Sequence, residues 1–134
     1  MRIVRHGQGG FFERLCQEVA EFAESHFRLN RKTGGVSERD TLEQVAKTLG
    51  QEPAELQDLP ELPECASHVW RWWQQLSATR QCGMSINPIS EPSIGWYFRT
   101  RRIQPLAWEL DAIAIIETAF LNDYHESQPK PKKP

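Results

Sequence analysis

The sequence predicts an all-α protein, a small bundle of about five helices. Two observations carry this: each strongly patterned segment repeats its apolar residues at helical spacing, and no segment alternates apolar with polar residues as a half-buried strand does. Size is a third. The chain of 134 residues is 39% hydrophobic and 25% charged, enough for one domain with a real core.

The first helix is expected over Phe11 to Asn30. On a wheel turning 100° per residue, Phe12, Leu15, Cys16, Val19, Phe22, Ala23 and Phe27 gather on one side and Glu13, Arg14, Gln17, Glu21, Glu24 and Arg28 on the other. Residues 1–10, ending in Gly9-Gly10, read as a flexible leader. The Gly34-Gly35 pair breaks the helix, and Asp40 is a plausible N-cap for a second, in which Leu42, Val45, Ala46 and Leu49 keep the i, i+3, i+4, i+7 pattern. Gly50 closes it. Glu52-Pro53 can open one short turn, and "DLPELPE" has the proline spacing of an extended connector. A tryptophan-bearing helix follows from about Cys65 to Arg80, then a turn at Asn87-Pro88. Ser90 can cap a helix with Pro92 in its first turn, reaching about Arg102, and Pro105 can begin the last, through about Asn122. The domain is thus expected over 11–124, with a disordered Lys/Pro-rich tail over 125–134.

Composition narrows the function. No run of eighteen apolar residues is present to span a bilayer, and the N-terminus carries no apolar signal core, so a cytoplasmic location is expected. Cys16, Cys65 and Cys82 are an odd set and read as reduced thiols. The net charge is −2, and the three lysines of "PKPKKP" leave the other 128 residues at −5, a balance that weighs against general nucleic-acid binding. Cys65 and His68, at i, i+3, could share a metal only with Cys82 as third ligand, and zinc spacing is absent, so no metal and no cofactor are expected. His6, His26 and His125 are scattered. His26 lies on the apolar side of the first helix, where a packed, hydrogen-bonded imidazole is the ordinary outcome. No dinucleotide fingerprint, P-loop or nucleophile elbow is present, and the reading is not an enzyme.

The tryptophans raise the sharpest question. With Val69 at zero, Trp72, Leu76, Trp73, Ala66 and Trp70 span an arc of about 160°, wider than the roughly 100° that one packed face needs. Trp73 is core on any view. The edge rings Trp70 and Trp72 are either covered by a neighbouring helix on each side or held out for a partner. The last helix is apolar almost all round, with Trp108 and Ile115 opposite the main stripe, which suits a central position or an interface and leaves self-association open. A separate segment, "GWYFRTRRIQ", interleaves Trp96, Tyr97 and Phe98 with Arg99, Arg101 and Arg102. It supports an alternative reading, a small nucleic-acid-binding or regulatory protein using this basic-aromatic helix.

Two charges sit where apolar residues belong. Arg80 lies at about 20° on the Val69 wheel and Glu117 at about 20° on the wheel of the last helix. If those helices pack antiparallel, the two can meet as a partly buried ion pair that fixes register; otherwise Arg80, at the helix end, snorkels to water and Glu117 faces an interface or another arginine such as Arg101.

Several of these segments together resemble a known family. "HVWRWWQQLSATR", then "GMSINPIS", then "IGWYFRTRRIQPLAWELDAIAIIETAFL" is similar to the tail assembly chaperones of long-tailed bacteriophages, over roughly Asp40 to Asn122. The residues carrying it are Trp70, Trp73 and Leu76, then Asn87, Pro88 and Ile89, then Trp108, Glu109, Ala112 and Ile113. Met1 to Val36 have no counterpart in the family pattern, and "RRIQP" stands where a small residue or glycine is expected. The resemblance implies a chaperone that binds the tape measure protein, keeps it soluble in the host cytoplasm, helps recruit tail-tube subunits and leaves before the virion is complete. Trp70, Trp72, Trp73, Trp96 and Trp108 are the candidate partner-binding residues.

Overall fold

The computed structural model describes residues 6–33, 35–81, 83 and 85–128; the expectations for the first five residues and for the tail from 129 onward lie outside them. Among the described residues the chain forms six α-helices: α1 (His6–Asn30), α2 (Glu38–Leu49), α3 (Ala54–Gln57), α4 (Ser67–Ser77), α5 (Glu91–Arg101) and α6 (Ala107–Ser127). The all-α prediction holds.

Several boundaries differ from expectation, each for a local reason. Helix α1 begins at His6, so residues 6–10 are helix and not leader. A helical glycine costs about 1 kcal/mol against alanine, which is why three glycines hid this turn; the first aromatic contact of α1 with α6 is Phe12 on Trp108. At the other end α6 runs to Ser127, past the expected stop near Asn122. The break after α1 closes as a minimal antiparallel bridge, β1 (Lys32–Thr33) to β2 (Val36–Ser37), which sequence patterning did not show. Gly35, at φ 85°, supplies the left-handed backbone of that turn.

Ser37, not Asp40, is the N-cap of α2. Its hydroxyl accepts from the Asp40 amide, and the Asp40 carboxylate accepts from the Ser37 amide, a reciprocal capping box with Asp40 in the third helical position. Gly50, at φ 70°, ends α2 as expected. Pro53 precedes the short α3, and the extended connector leads to a 3-10 turn, Glu64–Ala66, that feeds α4. Ser90 caps α5 through the Ser93 amide, with Pro92 in the first turn.

Helices α1, α4 and α6 run in the same direction. Phe12 meets Trp108, Phe27 meets Phe120, and Arg31 pairs with Asp123, so α1 and α6 rise together. His68 meets Glu109 and Trp73 meets Glu117, so α4 rises with α6 as well. The antiparallel packing on which the Arg80–Glu117 pair was conditioned is therefore corrected to parallel. Helix α5 is the reason: it starts beside Glu117, where Ile89 is bonded, and carries the chain back to the level where α6 begins. The core forms where these helices meet, with Leu15, Val19 and Ala23 of α1, Val69, Trp73 and Leu76 of α4, Tyr97 and Phe98 of α5, and Ala112, Ile113 and Ile116 of α6. Helix α2 contributes no buried residue; its Leu49 is 69% exposed despite the apolar stripe.

Candidate partner interface

The aromatic arc of α4 is covered on both sides. Trp70 stacks on Phe27 at 5.6 Å and receives Phe22 and His26 edge-on, each at 5.0 Å, all from α1. Trp72 packs edge-on against Phe98 of α5 at 4.9 Å. Trp73, only 5% exposed, lies between Phe27 and Phe120. Trp108 of α6 stacks on Phe12 at 5.8 Å. Four of the five candidate tryptophans are thus built into the packing, and the width of the arc is what three neighbouring helices require.

Trp96 is the exception, at 63% exposed on the outer side of α5. Tyr97 and Phe98 turn inward, and Arg101 lies over the Tyr97 ring at 3.8 Å while the Arg99 guanidinium stands 6.0 Å from Trp96. The basic-aromatic helix therefore offers one outward ring, whereas a nucleic-acid stacking platform uses successive rings. The start of α6 adds Leu106 and Leu110, 59% and 40% exposed, one helical turn apart. These exposed apolar side chains are the available material for a protein contact.

A buried polar cluster holds the scaffold behind them. Arg80 donates to Glu117 through Nη1 at 2.5 Å and Nη2 at 2.7 Å, and Nη1 also reaches the Asn87 carbonyl at 2.9 Å. The Trp73 indole N–H and the Ile89 amide each donate to Glu117 at 3.0 Å. One carboxylate thus ties α4, the Asn87-Pro88-Ile89 turn and α6 together. The Arg80 side chain is 3% exposed and that of Glu117 14%, so the pair is largely desolvated. Burial pushes the Glu117 carboxyl up, and the hydrogen bonds from Arg80, the Ile89 amide and Trp73 outweigh it, leaving Glu117 below the usual carboxylate range.

Sequence reasoning placed Arg80 and Glu117 together but missed Trp73 and Ile89 as donors, since a wheel shows angle and not the path of a turn. It also missed His68 and Glu109, which meet at 2.6 Å. Glu109 further accepts from the Leu106 amide at 2.7 Å, closing the N-terminus of α6, and a glutamate in the third helical position was the available signal. Cys65 is exposed, Cys82 lies outside the described residues, and no group of three potential metal ligands occurs among the described residues.

A small helical scaffold with its rings committed to packing and a few apolar side chains turned outward has the architecture of an interaction protein. The model of the phage tail assembly chaperone family matches residues 45–122, more than half of the chain, and the protein belongs to that family. No curated protein and no solved structure matches the chain. The matched span contains α4, α5, most of α6, the Glu117 cluster, and all of Trp96, Leu106 and Leu110; α1 lies before it.

Proposed function

We propose that this tail assembly chaperone binds the tape measure protein and keeps it soluble while the phage tail is built in the host cytoplasm, leaving before the virion is complete. The family match over residues 45–122 is the observation that carries the reading. A client with long apolar helical stripes aggregates unless they are covered, and a holder that must later leave needs a modest apolar surface. Trp96, Leu106 and Leu110 suit that requirement, since their exposure leaves area for a client while the fold does not depend on burying them. Trp96 is the anchor among the five candidate tryptophans. Trp70, Trp72 and Trp108 act mainly through the scaffold, and Trp73 wholly so. Recruitment of tail-tube subunits belongs to the same reading as a second protein contact.

Affinity capture tests this. With the tape measure protein of the same phage co-expressed, the tagged chain retains it, and Trp96→Ala weakens retention by an amount typical of an aromatic hot spot, about 2 kcal/mol. A tape measure protein that never co-purifies, or one held equally by Trp96→Ala, would overturn the respective claim.

A further inference from the structure

The parallel pair α1 and α6 leaves an open apolar trough on its outer side. One section, of about 460 Å³, is lined by Phe12, Glu13 and Cys16 from α1 and by Trp108, Asp111 and Ile115 from α6. A second, of about 240 Å³, continues it past Ala20, Glu24, Thr118 and Asn122, the two sharing Ala114 and Ile115. From Trp108 to Asn122 the trough follows α6 for about 21 Å, four helical turns. Alanines on both helices keep its middle shallow, so that a third helix can approach to ordinary helix-packing distance.

The charges select the occupant. Among the described residues lining both sections, Glu13, Glu24 and Asp111 are the charged ones, all carboxylates, placed on both walls and at both ends. A second copy docked through the same surface would set carboxylates against carboxylates in either orientation, which is repulsive. We propose that the α1–α6 trough binds an amphipathic helix of about four turns whose apolar stripe is flanked by lysine or arginine. The trough is a surface apart from Trp96, Leu106 and Leu110, so the inference adds a second contact to the chaperone reading, and it rests on that reading only for the client's identity. The Cys16 thiol reports on the same place: burial, then the Asp111 carboxylate, pushes it above its ordinary value, so Asp111 is close enough to be felt inside the trough.

Cys16 also provides the test. In a Cys65→Ser/Cys82→Ser background, alkylation of Cys16 is followed with two synthetic helical peptides of about 15 residues, sharing one leucine-alanine stripe and flanked by lysines or by glutamates. The lysine peptide slows alkylation about tenfold at saturation, its protection weakens as salt is raised, and Glu13→Lys/Asp111→Lys shifts the midpoint at least about tenfold to higher peptide concentration. Equal protection by both peptides, protection by neither, or no effect of the charge reversal overturns the proposal. Protection rising with protein concentration alone, with a dimer in sedimentation, also overturns it and makes the trough a contact between copies. Because the probes are synthetic, the two readings fail separately. Capture of the tape measure protein with Cys16 unprotected removes the trough and keeps the client, whereas peptide protection without capture does the reverse.

Discussion

Glu117→Gln preserves side-chain size and removes the charge at the point where α4, the Asn87-Pro88-Ile89 turn and α6 join. The carboxylate accepts four hydrogen bonds, two from Arg80 and one each from Trp73 and Ile89, and a glutamine amide faces at least one of those donors with its own NH2. Arg80 is left as a cation 3% exposed with no charged partner among the described residues, held by the one remaining carboxamide oxygen, the Asn87 carbonyl and the Ser77 hydroxyl. Removing one member of a buried pair typically costs 3–5 kcal/mol, and the residual exposure of Glu117 places this site near the lower end, at about 3 kcal/mol. Urea denaturation measures it. A cycle with Arg80→Met should give coupling of about 1 kcal/mol or more, because each change strands the other partner. A loss below about 1 kcal/mol for Glu117→Gln, or coupling near zero, would refute a desolvated joint. The pH dependence has a definite sign. The folded carboxyl lies below its ordinary 4.5, so its stabilisation is complete above that pH and is lost as pH falls through the depressed folded value.

Three further outcomes follow from the packing. Trp70→Ala, which removes a ring enclosed by Phe22, His26, Phe27 and Trp73, should lower stability by about 3 kcal/mol in urea, whereas Trp96→Ala should change it by less than about 1 kcal/mol. Arg102 closes α5 at φ 55°, a left-handed conformation in which glycine is unstrained, so Arg102→Gly should raise the urea midpoint by about 1 kcal/mol equivalent; a loss would mean that the side chain matters more than the backbone. Burial, then the charge of Arg39, holds the His26 imidazole below its ordinary 6.5, so its contribution is complete above that pH and lost as pH falls through the folded value. His26→Phe should flatten the stability profile across that window, and an unchanged slope would contradict it.

The helices were legible because their stripes are local, and so were the two charges that interrupt apolar stripes; Arg80 and Glu117 do meet, but within a parallel packing and not the antiparallel one on which their pairing was conditioned. The direction in which α4 meets α6 was not, because a wheel carries angles and no polarity; the return path of α5 decides it. The start of α1 was missed because residues 7, 9 and 10 are glycines, which favour neither helix nor packing by sequence. The N-cap of α2 was misplaced by three residues because Asp40 is itself a capping residue type, and only the Ser37 hydrogen bonds distinguish the roles. A small residue or glycine was expected in the "RRIQP" turn, and Arg102 takes a backbone conformation that favours glycine there. For the interface, the wheel of α4 flagged an arc too wide for one neighbour but gave no count of neighbours. With α1 on Trp70 and α5 on Trp72, the exposed tryptophan falls instead at Trp96, on a helix with little amphipathic contrast.

The central claim is tested most directly by the soluble fraction of the tape measure protein expressed alone, with the wild-type chain, and with a chain carrying Trp96→Ala and Leu110→Glu. Both substitutions fall on exposed positions, so the variant should fold and keep its own helical spectrum. The account predicts that the tape measure protein is largely insoluble alone, soluble and complexed with the wild-type chain, and returned to the insoluble fraction with the folded variant. Solubility unaffected by the chain would contradict the client, and solubility restored equally by the variant would contradict the surface.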